Sequence, residues 1–184
     1  MKKVVCLVCW MIVVGWLGAQ QLDNWPETIS YEGRFRVQAP DILHEAIDSA
    51  DTELGRLAFH RHFFQPPDPQ SAANLFYQVM WIDYPEAIPL ADSVDLLRDF
   101  FDTTIEEAAE SVKGEVVYQA DQLWKGYPGR VWRISYLDGQ AVIKSRAFLV
   151  GHRFYLLSTI SLREKALNPD SDRFFNSFRL LSDD

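Results

Sequence analysis

The sequence predicts an α+β fold: a mostly antiparallel sheet of about six to eight strands, with one long helix and a C-terminal helix packed on it. Two observations lead to this prediction. Segments in which apolar and polar residues alternate outnumber segments of helical periodicity, and short turns join most of them. A parallel sheet would instead need a long crossover connection, usually a helix, between successive strands.

Four strands are predicted in the N-terminal half of the chain. The first is predicted because apolar and polar residues alternate along it. Its apolar residues are Ile29, Tyr31, Phe35 and Val37. It ends before Pro40, because proline cannot donate a hydrogen bond to a neighbouring strand. Three more predicted strands follow at residues 43–50, 57–64 and 75–83.

The pattern then changes to helical periodicity. Apolar side chains recur three or four residues apart and form one stripe, which consists of Val94, Leu97, Phe101, Ile105, Ala108 and Val112. Asp92 or Ser93 is the predicted N-cap, and Lys113 with Gly114 ends the helix. This segment is the long helix of the predicted fold.

The C-terminal half returns to strands and ends in a helix. The predicted strands are residues 115–124, 130–137, 140–150 and 153–161, and the helix covers residues 170–178. Asp138 and Gly139 form a two-residue turn signal, which predicts a hairpin between the second and third of these strands. The helix places Phe174, Phe175 and Phe178 at helical spacing, so we expect them to pack on the sheet.

The N-terminus resembles a segment for export. Lys2 and Lys3 precede an apolar run without charge, and Gly18 and Ala19 supply the small residues of a cleavage site, so residues 1–19 are predicted to be a signal peptide. The alternative is an uncleaved membrane anchor, because the uncharged run approaches the ~20 apolar residues that a membrane helix needs. Either way, residues 24–181 are predicted to form a single domain outside the cytoplasm, periplasmic or secreted.

Cysteine content and charge limit the functions of this domain. Cys6 and Cys9 both lie in the apolar N-terminal run, so the predicted mature domain has no thiol and no disulfide. The formal net charge of the chain is −8, which argues against general binding to nucleic acid or to anionic lipid. We expect an envelope or extracellular protein partner, and membrane contact only through the N-terminal segment if it stays uncleaved. The sequence does not predict an oligomeric state.

Three stretches resemble the carboxy-terminal part of exported bacterial proteins of the PsbP/Mog1-like fold. They are GYPGRVWRI at residues 126–134, RAFLVGHRFYLL at 146–157 and FFNSFRL at 174–180. Residues 33–37, followed by Pro40, are similar to the opening strand of that group. PsbP-like proteins are extrinsic assembly or stabilising factors and Mog1-like proteins bind a small GTPase, so the resemblance implies a noncatalytic binding role. It identifies no functional residue in this chain.

Motifs for catalysis are absent from the sequence. It has no Gly-x-Ser-x-Gly nucleophile motif, no His-Glu-x-x-His zinc motif and no phosphate-binding glycine loop, and no cysteine follows the predicted signal. The sequence therefore favours a noncatalytic binding or assembly module and predicts no cofactor.

Basic residues of the predicted hairpin form a candidate binding surface. If Asp138 and Gly139 close a two-residue turn, Arg133 pairs with Lys144 and Val131 pairs with Arg146. Opposed cations are unfavourable unless an anion lies between them, which predicts a site for an anion or an acidic partner. The predicted members of the site are Arg130, Arg133, Lys144 and Arg146. The alternative is that helix carboxylates or solvent satisfy these side chains.

Two aromatic residues beside the hairpin form a second candidate contact. Trp124 and Tyr127 flank a turn that contains glycine and proline, and we expect both rings to be partly exposed at a loop tip.

Two histidines suggest an alternative function, a metal-dependent enzyme or metal-binding protein. His60 and His62 lie two residues apart on a predicted strand and therefore on one face. They can chelate a metal if a third ligand, His44 or Asp68, lies close. The other interpretation is a polar outer face, because the alternating Leu57, Phe59 and Phe63 would take the inner face of the strand.

Acidic residues line the long helix opposite its apolar stripe. They are Asp95, Asp99, Asp102, Glu106 and Glu110. Such a run is typical of a solvated helix face, and the alternative is a docking surface for a basic partner or a divalent cation.

Overall fold

The computed structural model describes residues 24–86 and 93–181. The predicted signal peptide, its cleavage site and the alternative anchor lie outside these residues. Within the described ranges, no helix is both long enough and apolar enough to cross a membrane.

A seven-stranded antiparallel sheet forms the centre of the molecule, and we refer to it as the main sheet. Its strands, in chain order, are β3 (His44–Thr52), β4 (Gly55–Phe64), β5 (Phe76–Asp83), β6 (Glu115–Trp124), β7 (Tyr127–Tyr136), β8 (Ala141–Val150) and β9 (Arg153–Leu162). Their spatial order is β3-β4-β5-β9-β8-β7-β6. The seven corresponding predicted strands are confirmed.

A second sheet joins the two ends of the described chain. It contains β1 (Glu27–Ser30), β2 (Phe35–Gln38) and β10 (Arg179–Leu180), with β2 in the middle. The prediction of a single first strand is wrong, because residues 31–34 form a turn between β1 and β2. In this turn the Ser30 hydroxyl accepts a hydrogen bond from the Gly33 amide at 3.0 Å. Tyr31 is 81% exposed instead of lying on the buried face.

Among the described residues, two helices cover opposite faces of the main sheet. α1 (Val94–Ser111) is the predicted long helix, and the Ser93 side chain accepts the capping hydrogen bond from the Leu96 amide. α2 (Pro169–Ser177) is the predicted C-terminal helix, and its N-cap is Asn168. A short 3₁₀ helix (Arg163–Lys165) precedes it.

The described part of the chain forms one hydrophobic core on each face of the main sheet. The core under α1 contains Leu57, Ile82, Phe101, Ile105, Ala109, Trp132, Ile134, Ala147, Leu149 and Phe154. The opposite core lies under the second sheet and α2, and its largest buried members are Trp25, Phe35, Tyr77, Trp81, Phe148, Tyr155, Phe174, Phe175 and Phe178. Both faces of the central strands are therefore covered.

Phe178 connects the elements of the second core. Its ring centroid lies 5.4 Å from Phe35 of β2, 5.4 Å from Phe148 of β8, 5.6 Å from Tyr155 of β9 and 5.7 Å from Trp124 of β6. Since these partners belong to both sheets, Phe178 holds the second sheet on the main sheet.

We expect Phe178→Ala to lower the free energy of unfolding by about 3–5 kcal/mol, because it leaves a cavity between the two sheets. Urea unfolding followed by circular dichroism measures this change. The control is Leu167→Ala, at a side chain that is 90% exposed, which should change stability by less than about 0.5 kcal/mol. Equal losses in the two variants would contradict this account of the core.

Candidate functional site

The β7–β8 hairpin has the register that the sequence predicts. The Gln140 amide donates a hydrogen bond to the Leu137 carbonyl at 3.0 Å, and the two residues between them, Asp138 and Gly139, have φ of 52° and 78°. Leu137 also has a positive φ, of 51°, and strand pairing ends at Tyr136 and Ala141, so the chain reverses over residues 137–140 and not over the two predicted residues alone. The predicted pairings are confirmed: Arg133 lies opposite Lys144, and Val131 lies opposite Arg146.

Three cations therefore lie on the sheet face that α2 covers in part. We call Arg133, Lys144 and Arg146 the basic face. They surround a shallow concavity of about 160 Å³, whose lining also includes Tyr118, Asp172 and Phe175.

The contacts of the basic face leave its positive charge poorly compensated. The Arg146 guanidinium lies 5.4 Å from the Phe175 ring centroid, and its Nη1 donates to Asn176 Oδ1 at 3.4 Å. Its Nε is buried without a hydrogen-bond partner in the described part of the chain. Within the same part, Arg133 and Lys144 make no hydrogen bond and no ion pair.

Burial shapes the electrostatics of the basic face. It lowers the pKa of Lys144, an effect that nearby Asp172 opposes and the charge of Arg133 strengthens. Burial also lowers the pKa of Arg146, again against the effect of Asp172. One carboxylate thus faces two partly desolvated cations, and a bound anion would relieve this imbalance.

Arg130 does not belong to the basic face, which corrects the predicted four-residue site. Its side chain lies on the opposite face of the main sheet, is 7% exposed and forms an ion pair with Asp102 of α1. Its Nε also donates to Asp121 Oδ1 at 2.9 Å. Arg130 therefore fastens α1 to the sheet. The sequence did contain the signal, because strand residues an odd number of positions apart, such as Arg130 and Arg133, face opposite ways.

Trp124 and Tyr127 are both partly buried where β6 turns into β7. The Trp124 ring stacks on Phe148 at 4.4 Å between centroids, and Tyr127 lies 6.4 Å from Trp124. Both side chains pack against the core under the second sheet. Trp124 thus supports the sheet, and any contact with a partner would use only the remaining exposed part of these rings.

The acidic residues of α1 lie on the other side of the main sheet from the basic face. Asp102 turns toward Arg130, and Asp95 pairs with Arg98 at 3.3 Å. Asp99, Glu106 and Glu110 are exposed. The two sides of the main sheet therefore differ in charge.

The histidines of β4 are buried, whereas the sequence favoured a polar outer face for them. His60 is 8% exposed and stacks on Trp81 with 3.6 Å between ring centroids. His62 is 5% exposed, and its ring lies 5.1 Å from Phe35. The reason is that the β1–β2 hairpin covers this face while Leu57 packs in the core under α1. The expectation of one inner and one outer face fails for a strand covered on both sides.

The predicted third ligands do not join these histidines. His44 is exposed and lies opposite Phe63, so it projects from the other face of β4 and β3. Asp68 accepts a hydrogen bond from the Gln70 amide within its own loop.

Two glutamates approach the histidines instead. One carboxylate oxygen each of Glu32 and Glu45 and one ring nitrogen of His60 all lie within 4.8 Å of one another. Glu45 also lies opposite His62 in the β3–β4 pairing, with its Oε1 3.9 Å from His62 Nε2. We call Glu32, Glu45, His60 and His62 the histidine–glutamate cluster. The hairpin register could have predicted Glu45, but Glu32 comes from the turn that the sequence did not reveal.

Burial lowers the pKa of His62, and the neighbouring His60 adds to this effect, while Glu45 and Glu32 oppose it. His62 is therefore held toward its neutral form in the folded protein. Neutral imidazole is the form that accepts a hydrogen bond or binds a metal ion.

Comparison with solved structures shows a PsbP-like fold. No protein-family model matches the chain, and no curated protein matches it either. The solution structure of cyanobacterial PsbP (CyanoP) from Synechocystis sp. PCC 6803 is similar with a TM-score of 0.57 and 10% identity, over 91% of this chain and 98% of that chain. The crystal structure of PA94, a protein of unknown function from Pseudomonas aeruginosa, has a TM-score of 0.43 and 9% identity, over 65% of this chain and 85% of that chain.

We expect the metal-free protein to lose stability as the pH falls below about 6.5, the ordinary pKa of histidine. The pKa of His62 is lowered by folding, so the unfolded chain takes up a proton before the folded protein does. The stability that His62 contributes is complete above pH about 6.5 and is lost as the pH falls.

Urea unfolding between about pH 7.5 and 5.5 measures this slope, since most carboxylates titrate below that range. The His62→Gln variant should show a flatter dependence, whatever its stability at neutral pH. The His152→Gln variant, changed at an exposed histidine, should keep the wild-type slope. An unchanged slope in His62→Gln would remove His62 as the cause.

Proposed function

We propose that this chain is an exported, noncatalytic binding or assembly module that docks an acidic surface of an envelope or extracellular protein on its basic face. The observation that supports this most is the clustering of Arg133, Lys144 and Arg146 around one concavity with a single nearby carboxylate, Asp172. The predicted signal peptide supports export, and the resemblance to PsbP-like assembly factors supports the noncatalytic role.

The size of the concavity favours a protein partner over a small metabolite. Its volume of about 160 Å³ is below the roughly 300–1,000 Å³ typical of small-molecule sites. It can accept one carboxylate side chain, while the rest of an acidic partner stays on the surrounding surface. A carboxylate there would pair with the buried Arg146 Nε, which lacks a partner among the described residues.

The charge distribution supports one orientation of the partner. The chain is acidic overall, with a formal net charge of −8, and α1 presents carboxylates on the opposite side of the main sheet. An acidic partner is therefore repelled by that side and attracted to the basic face. Complementary potentials of this kind mainly set specificity and association rate.

The chemistry of the concavity also favours binding over catalysis. Its lining contains no histidine and no cysteine. The one hydroxyl of a serine in it, on Ser145, shares a hydrogen bond of 3.0 Å with Ser158. The carboxylate in the lining, Asp172, interacts electrostatically with Lys144 and Arg146.

The experiment uses residues 20–184 and a short polyglutamate peptide as the probe for an acidic surface. We expect amide chemical shifts in a nuclear magnetic resonance titration to change on β7 and β8, and the affinity to fall as salt is raised. The Arg133→Glu, Lys144→Glu variant should weaken binding at least about tenfold, or about 1.4 kcal/mol.

The matched control is Arg56→Glu, Arg98→Glu, which changes two exposed arginines away from the basic face and alters the net charge equally. It should keep most of the affinity. A parallel pull-down from the envelope fraction should recover a partner with wild type and the control but not with the hairpin variant. Equal weakening in both variants would show general charge attraction and contradict a specific basic face.

A further inference from the structure

The histidine–glutamate cluster brings four metal-binding side chains together from three parts of the chain. β4 supplies His60 and His62, the paired strand β3 supplies Glu45, and the turn between β1 and β2 supplies Glu32. The cluster lies away from the basic face, which is built on β7 and β8.

Two hydrogen bonds fix the turn that carries Glu32. The buried Tyr155 hydroxyl donates to the Gly33 carbonyl at 2.7 Å, and Arg153 Nη1 donates to the Glu32 carbonyl at 2.6 Å. Gly33 also has to be glycine, because a Cβ there would lie 2.6 Å from the Phe35 ring and 2.7 Å from Trp81 Nε1. The backbone of Glu32 is therefore held over the sheet, while its exposed side chain can rotate toward His60.

The histidines present buried nitrogens without partners. His60 Nδ1 and His62 Nε2 are buried and have no hydrogen-bond partner in the described part of the protein. His62 Nε2 points toward Glu45 but remains 3.9 Å from its carboxylate, which is too long for a hydrogen bond. An unpartnered buried polar atom is costly, and a ligand between the imidazoles and the carboxylates would remove that cost.

We propose that Glu32, Glu45, His60 and His62 bind one divalent transition-metal ion of the zinc class. Two imidazole nitrogens and two carboxylates form a donor set that suits tetrahedral Zn²⁺, whereas Ca²⁺ and Mg²⁺ prefer oxygen donors alone. The carboxylate oxygens and the His60 nitrogen lie within 4.8 Å of one another. Donors bonded to zinc at about 2.0–2.1 Å lie roughly 3.3 Å apart, so the exposed glutamate side chains have to close on His60 by no more than about 1.5 Å.

Metal binding would join the two sheets. Glu32 belongs to the hairpin of the second sheet, and the other three ligands belong to the main sheet. The ion therefore adds a link between them that the unfolded chain lacks, and it stabilises the folded state by mass action. This site extends the proposed function to a metal ion and does not depend on the basic face.

The test is isothermal titration calorimetry of residues 20–184 with Zn²⁺, after treatment with a chelator and its removal. We expect one ion per chain, a rise in the melting temperature with Zn²⁺ and no comparable effect of Ca²⁺ or Mg²⁺. Hydrogen exchange of residues 31–34 should slow when Zn²⁺ is bound, because the ion ties Glu32 to β4.

The Glu32→Gln, Glu45→Gln variant should lower the affinity for Zn²⁺ at least about tenfold. Both side chains are exposed, so this variant should fold, which circular dichroism checks. The matched control, His44→Gln, His152→Gln, removes two exposed histidines outside the cluster and should keep wild-type binding. Absence of Zn²⁺ binding by wild type overturns the proposal. Binding that survives in the glutamate variant, or that disappears in the control, overturns it as well.

Discussion

Coverage of both faces of the main sheet is the constraint on which the rest of this structure depends. α1 covers one face, and the second sheet with α2 covers the other. A polar side chain that lies under one of these covers is consequently buried and needs a partner. Arg130 has two, Asp102 and Asp121, whereas the buried nitrogens His60 Nδ1 and His62 Nε2 have none in the described residues. Arg130 therefore belongs to a structural ion pair, whereas the two histidines belong to a candidate ligand site.

The second sheet, whose β1–β2 turn carries the candidate metal ligand Glu32, contains strands from both ends of the described chain. β2 pairs with β1 on one side and with β10 near the C-terminus on the other. The Leu181 amide donates to the Arg34 carbonyl at 3.0 Å, beside the turn that carries Glu32. Phe178 then holds β10 and α2 against the main sheet. The cluster is therefore a product of long-range tertiary contacts, in contrast to the hairpin of the basic face.

This contrast between local and long-range contacts explains which parts of the fold and of the candidate sites the sequence predicts. Alternation and the Asp138-Gly139 turn are local signals, so they predict the strands of the main sheet and the pairing of Arg133 with Lys144. The β1–β2 turn was missed because Tyr31 and Phe35 keep the spacing of one continuous strand. The burial of His60 was missed because a polar residue on an alternating strand predicts solvent, and only the tertiary fold shows a cover there.

The basic face and the histidine–glutamate cluster lie on the same side of the main sheet, but the electrostatic interaction between them is weak. The cluster lies on β4 and the basic face on β7 and β8, with β5 and β9 between them. Strands about 4.8 Å apart put β4 and β8 roughly 14 Å from each other. The strand register puts His60 level with Phe148, four residues from Lys144, so the two lie roughly 19 Å apart. Two unit charges at that separation interact by about 0.2–0.9 kcal/mol for effective dielectric constants of 80 to 20, so a bound cation changes the potential at Lys144 only weakly. A partner on the basic face and a metal ion in the cluster should therefore bind almost independently, and the loss of one site leaves the other intact.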